Sequence, residues 1–127
     1  MSSSRFCYGA KIEKVIDGDT IDLSIDLGFN IHHKIRVRLY GVDAPETRTL
    51  NKAEKEAGLK AKDFVEGWSE KYPSVIIETV KDKGEKYGRI LANVFCDESK
   101  QVCLNKELIA SGFAKAYFGQ KKEAFSG

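Results

Sequence analysis

Residues 21–27 alternate apolar and polar side chains without interruption, with Ile21, Leu23, Ile25 and Leu27 set against Asp22, Ser24 and Asp26. A period of two predicts a β-strand with one buried face. Gly28, Phe29 and Asn30 follow as a turn, so a hairpin is expected, with residues 31–40 as the returning strand. In that strand Ile35, Val37 and Leu39 point to the core, while Arg36, Arg38 and Tyr40 share the opposite face. Upstream, residues 8–16 are rich in β-formers and predict a first strand leading into Asp17-Gly18-Asp19.

From Asn51 the period lengthens. Ala57, Ala61, Phe64, Val65 and Trp68 recur at helical spacing, Asn51 and Glu54 form a capping pair, and Pro73 prevents continuation. Strand character returns over residues 74–81 and 87–96, joined by a glycine-containing loop at 82–86, which gives five strands in all. A short second helix is expected over residues 106–111, with Asn105 as its cap and Gly112 at its C-terminal end, and a closing helical turn within residues 113–127. Pattern alone supports a small α+β or β-barrel protein.

The chain has 127 residues, enough for one well-cored domain and too few for two, and neither a repeat nor a low-complexity linker divides it. With 42% hydrophobic and 31% charged residues the composition is that of a globular protein. No apolar run approaches the ~18 residues that a membrane span requires. A net charge of +2 points only weakly to nucleic acid. Its distribution says more: positive charge gathers at residues 81–89 and 115–122, with Tyr87 and Tyr117 interleaved as stacking platforms. Cys7, Cys96 and Cys103 are odd in number and lack C-x-x-C spacing, which argues against a disulfide framework or a zinc site. Reduced thiols and a first segment without the apolar core of a signal peptide favour a cytoplasmic protein, with secretion after loss of a leader as the other option. A monomer is the default for such a barrel.

Three motifs carry chemistry: Asp17-Gly18-Asp19-Thr20, the run Arg38 to Thr47 with Asp43-Ala44-Pro45-Glu46 at its centre, and Lys86-Tyr87-Gly88-Arg89. Carboxylates are hard oxygen ligands suited to Ca²⁺, a loop glutamate can deprotonate or orient a water, and two guanidiniums can straddle a phosphate. Taken in this order over roughly residues 12–117, the motifs resemble the staphylococcal nuclease (thermonuclease) family. The resemblance implies a five-stranded OB-fold Greek-key barrel with its main helix after the third strand. It also implies a Ca²⁺-dependent nuclease that cuts DNA, and RNA as a second substrate, with low sequence specificity and leaves 3′-phosphate ends.

By the same resemblance Asp19, Asp43 and the main-chain oxygen of Ala44 hold the metal, with Asp17 supporting them from behind. The family's best-known member has threonine in place of Ala44, so a side-chain hydroxyl contact is lost here. Glu46, on a loop stiffened by Pro45, accepts a proton from the attacking water or orients it. Arg38 and Arg89 stabilise charge on the pentacoordinate phosphorus. Lys86, Tyr87 and Tyr117 contact the substrate. Arg36 reads as a surface ion pair, and His32 and His33 as surface histidines beside the hairpin turn. Two other readings stand beside this one: a non-catalytic OB-fold module that binds nucleic acid, and a metal-dependent esterase acting on small nucleotides.

Overall fold

Strands β1 (Cys7–Asp17), β2 (Thr20–Asp26) and β3 (His32–Leu39) form an antiparallel meander in the computed structural model, which describes residues 7–80 and 90–117. The alternation read over 21–27 is the alternation of burial within β2: Ile21, Leu23 and Ile25 lie inside, between half-exposed polar neighbours, while Leu27, past the end of the strand, is exposed. The turn at Gly28, Phe29 and Asn30 is left-handed throughout (φ 81°, 57° and 62°) and closes through the Leu27 N–H to the Ile31 carbonyl at 2.9 Å. Register shifts between Ile12 and Lys14 and between Val15 and Asp17 put irregularities into β1, the device by which a strand bends around a small barrel.

After β3 the chain makes a two-residue strand, β4 (Val42–Asp43), and then helix α1 (Lys52–Lys71). The Asn51 side chain accepts from the Glu54 N–H at 3.0 Å, as the capping pair predicts. The return half of the capping box is relayed. Glu54 takes a bond from the Thr49 hydroxyl (3.2 Å), and Thr49 in turn accepts from the Asn51 N–H (3.2 Å). Gly58, Ala61, Val65 and Trp68 form the buried stripe of α1, which ends at Tyr72, ahead of Pro73.

Strand β5 (Ser74–Val80) pairs with β1 and with β6 (Ile90–Phe95), and β6 runs parallel to β3 through Val37–Ile90, Arg38–Leu91 and Leu39–Ala92. These pairings close the barrel in the order β1-β2-β3-β6-β5, the five-stranded OB-fold expected from the sequence. Ile21, Leu23, Val37, Leu39, Ile77 and Val94 fill it, and Leu104 and Leu108 of helix α2 (Leu104–Ala110) extend the same core. Trp68 ties the helices together by donating its indole N–H to Glu107 at 3.2 Å.

One sequence expectation needs correction. Asn105 does not cap the short helix: α2 begins at Leu104, two residues before the expected start, with Cys103 at the cap position, and the Asn105 side chain is buried. Its amide accepts from the Val94 N–H (3.0 Å) and donates to the carbonyls of Tyr40 (2.9 Å) and Ala92 (3.1 Å), joining α2 to β6 and to the end of β3. The described part of the 113–127 segment ends at Tyr117; within it Lys115–Ala116 form β7, antiparallel to β4. All three cysteines are free. The expected loop at 82–86, the first residues of the strand expected from 87, and the chain from 118 onward lie outside the described residues.

Candidate active site

Everything expected of Asp19 begins with the tightness of the β1–β2 turn. A methyl group on Gly18 would stand 2.7 Å from the Ala61 Cβ of α1 and 3.0 Å from the Ala44 Cβ. Only glycine lets the turn sit directly on the helix. The Asp19 carbonyl then accepts from the Leu39 N–H (2.8 Å), and Thr20 stands opposite Arg38 in the β2–β3 ladder. Asp19 and Arg38 are therefore fixed to each other by sheet geometry.

Asp43 arrives from β4, whose partner β7 places Lys115 opposite it. The Arg38 Nη2 lies 3.9 Å from Asp19 Oδ2 and 3.8 Å from Asp43 Oδ1, between the two carboxylates, and all three side chains are less than 20% exposed (19%, 13% and 16% for Arg38, Asp19 and Asp43). At these distances the contacts are ion pairs longer than hydrogen bonds, so the Nη2 hydrogens are not committed to either carboxylate.

Burial pushes the Asp19 carboxyl above the usual aspartate range. The Ala44 N–H, the Arg38 guanidinium and the Thr20 hydroxyl pull it back, and Asp17 adds to the rise. Ala44 is itself buried, and its N–H donates to Asp19 Oδ2 at 3.2 Å.

The loop that follows is clamped twice. Thr47 donates its hydroxyl to Asp17 Oδ1 at 2.6 Å, which ties the far side of the loop to the end of β1. Gly58 seats α1 against the loop from below: a methyl there would fall 2.5 Å from the Glu46 carbonyl oxygen and 2.8 Å from that of Pro45. The Glu46 N–H also points to Glu54 Oε2 at 3.5 Å, and the Glu46 side chain is exposed to solvent.

The structure thus brings Asp19, Arg38, Asp43 and Ala44 together, with Glu46 three residues beyond Asp43 on the clamped loop. Tyr117 follows β7, and its N–H donates to the Gly41 carbonyl at 2.9 Å, which fastens it to the chain leading into Asp43. Arg89, Lys86 and Tyr87 lie outside the described residues. Arg36 is the surface ion pair expected, held bidentately by Asp22 (2.7 and 3.2 Å), and His32 and His33 are exposed on β3. Sequence reasoning gave no part to Thr47 or Gly58. The only signals were a hydroxyl closing the Pro45-Glu46-Thr47 run and a glycine in mid-helix, where glycine is costly.

The donor set suits a hard cation. Two mostly buried carboxylates lie within 4 Å of the same Arg38 nitrogen, and burial raises the Asp19 carboxyl in spite of that positive charge. Among the described residues no three His, Cys, Asp or Glu side chains converge, so further oxygens would come from main chain and water, as Ca²⁺ coordination allows.

Barrel, turn and clamped loop together are those of a nuclease-type OB-fold, and sequence comparison agrees. The chain belongs to the staphylococcal nuclease homologue family, whose model matches residues 36–126. It is similar to the thermonuclease of Staphylococcus intermedius (38% identical, 84% of this chain and 58% of that protein) and to an uncharacterised protein of Methanocaldococcus jannaschii (32%, 87% and 59%). Endonuclease YhcR of Bacillus subtilis is 31% identical across 87% of this chain, which matches only 9% of that protein. The chain thus spans less than two thirds of each of these relatives. None of the described helices is long and apolar enough to cross a membrane.

Proposed function

We propose that residues 1–127 form one nuclease domain, monomeric, which hydrolyses phosphodiester bonds of DNA, and of RNA as a second substrate, with Ca²⁺ and with low sequence specificity. The observation that carries this reading is the Arg38 guanidinium set between Asp19 and Asp43 with hydrogens to spare. A surface arginine serving only stability would close one short pair, as Arg36 does with Asp22. The relatives named as nucleases support the same reading.

Asp19, Asp43 and the Ala44 main-chain oxygen would hold the cation. When bound, Ca²⁺ would supply positive charge to the scissile phosphate and lower the cost of charge developing on it. Arg38 and, by the motif it belongs to, Arg89 donate to the equatorial oxygens, whose charge grows in the transition state. Glu46 takes a proton from the attacking water or aligns it. General-base help is worth about 10²–10⁴-fold, so the charge-stabilising groups carry the larger share of the acceleration. Attack in line with the 5′-oxygen as leaving group leaves a 3′-phosphate. Lys86, Tyr87 and Tyr117 contact the substrate's phosphates and bases.

Supercoiled plasmid and single-stranded RNA incubated with Ca²⁺ or with excess EGTA test this directly. Cleavage with Ca²⁺, none with EGTA, 5′ ends that a kinase labels directly, and 3′ ends that a polymerase extends only after phosphatase treatment are expected. Cleavage that persists after removal of all divalent metals contradicts the mechanism. Retention of DNA without cleavage assigns the domain to the binding modules instead.

A further inference from the structure

At the opposite end of β1 from Asp17, three side chains converge that the nuclease reading does not use. Lys100 Nζ lies 3.3 Å from Cys7 Sγ and 3.2 Å from Glu78 Oε2. Cys7 is exposed and stands opposite Glu78 in the β1–β5 ladder. Glu78 is buried and is held from its other oxygen by the Asn93 amide at 3.4 Å. Lys100 is itself constrained: its backbone is left-handed (φ 59°), its N–H donates to the Asp97 carbonyl (3.2 Å), and its ammonium stands 5.7 Å from the centre of the Phe95 ring. An accessible sulfur nucleophile and an amine nucleophile are therefore held in contact, with a carboxylate at hand for the proton that the amine must lose.

We propose that Cys7 and Lys100 form an oxidative crosslink, a Sγ–Nζ sulfenamide, when the protein meets a peroxide. In the first step the Cys7 thiolate attacks one peroxide oxygen. The O–O bond breaks, sulfur is oxidised by two electrons to the sulfenic acid, and one water leaves. In the second step Lys100, having passed its extra proton to Glu78 or to water, attacks the sulfenyl sulfur; the S–O bond breaks, the S–N bond forms, and a second water leaves. Overall, one thiol, one ammonium and one hydrogen peroxide give the sulfenamide, two waters and one proton. The hydrogen bonds to Cys7 and Glu78 raise the lysine above its usual range, so the resting amine is protonated and the crosslink waits on oxidation of the sulfur. Once formed, it joins two positions 93 residues apart and staples the start of β1 to the loop after β6. A covalent loop of that length restricts the unfolded chain and raises thermal stability.

Treatment with hydrogen peroxide, tryptic digestion and mass spectrometry test the proposal. A peptide pair containing Cys7 and Lys100, uncut after Lys100 and two hydrogens lighter than its parts, is expected. It should vanish on addition of a thiol reductant, and a rise of several degrees in the melting temperature of the oxidised protein should vanish with it. Cys7→Ser and Lys100→Arg should each abolish both changes while leaving nuclease activity as it was. Any oxidised product that leaves the Lys100 amine free, such as Cys7 sulfinic acid or a disulfide, overturns the proposal, as does an unmodified Cys7.

Discussion

Thr47 donates its hydroxyl to the Asp17 carboxylate at 2.6 Å, and this bond fastens the loop bearing Glu46 to the turn bearing Asp19. The bond is charge-assisted, partly buried and spans 30 positions of sequence, so it acts on loop placement more than on local conformation. Replacing Thr47 by valine keeps the shape and removes the donor. A loss of about 1–3 kcal/mol in stability is expected from urea unfolding, together with a turnover at least tenfold lower, since a small displacement of a reacting group is costly. Asp17→Asn keeps an acceptor for the same hydroxyl, and its effect on both measurements should be smaller.

Burial of the Asp19 carboxylate opposes its charge, which a neutral side chain at that position would not carry. Its pKa in the folded protein is raised, chiefly by desolvation, so folding favours its protonated form. The stability it allows is complete below the usual aspartate pKa and is lost as pH rises from there through the higher folded value. At neutral pH and without metal, Asp19→Asn should therefore melt a few degrees above wild type, and the difference should disappear in acid. Ca²⁺ should reverse the order: a ligand bound only by the folded form raises the wild-type melting temperature, while the variant gains little. Scanning calorimetry with Ca²⁺ and with EGTA at two pH values checks both signs.

Two glycines of α1 predict opposite outcomes for the same substitution. Gly67 has open space where a methyl would go, so Gly67→Ala should stabilise the protein by about 0.5–1 kcal/mol through helix propensity alone. Gly58 meets the Glu46 carbonyl at 2.5 Å, and backbone cannot swing aside as a side-chain tip can. Gly58→Ala should cost about 1–3 kcal/mol despite the same propensity gain, and should lower activity by pushing the Glu46 loop off the helix. Denaturant midpoints and plasmid-cleavage rates on the two variants make the comparison.

The hairpin of β2 and β3 was legible because one buried face imprints a period of two on the sequence, and the Asn51 cap because its hydrogen bond is local. Asn105 was misread for the same reason. An asparagine ahead of a short helix looks like a cap, whereas its three partners on Val94, Tyr40 and Ala92 exist only once β3 and β6 are neighbours. The β4–β7 pair is two residues long and too short to show any period. Arg36 and Arg38 share a face and differ by register: Asp22 stands opposite Arg36 and holds it, while Thr20 stands opposite Arg38 and leaves its guanidinium to turn toward Asp19 and Asp43. No local pattern distinguishes them; only the motif around Arg38 did.

That difference sets up the sharpest test of the site. Arg38→Lys retains the charge but replaces a planar fork, able to face two carboxylates and donate to a phosphate, by a single ammonium. Cleavage should slow by about 10²–10³-fold, the usual loss when one charge-stabilising donor is removed. Arg36→Lys, at the surface pair with Asp22, should cleave at the wild-type rate, because that guanidinium touches nothing at the site. Glu46→Gln should keep the fold, since the side chain is exposed, and lower kcat by about 10²–10⁴-fold with little change in KM. Circular dichroism before each assay separates loss of fold from loss of chemistry. If Glu46→Gln cleaves within tenfold of wild type, Glu46 serves at most to orient water and the proton passes elsewhere. If Arg38→Lys is equally mild, the guanidinium is a structural neighbour of the two aspartates and not a group that meets the phosphate.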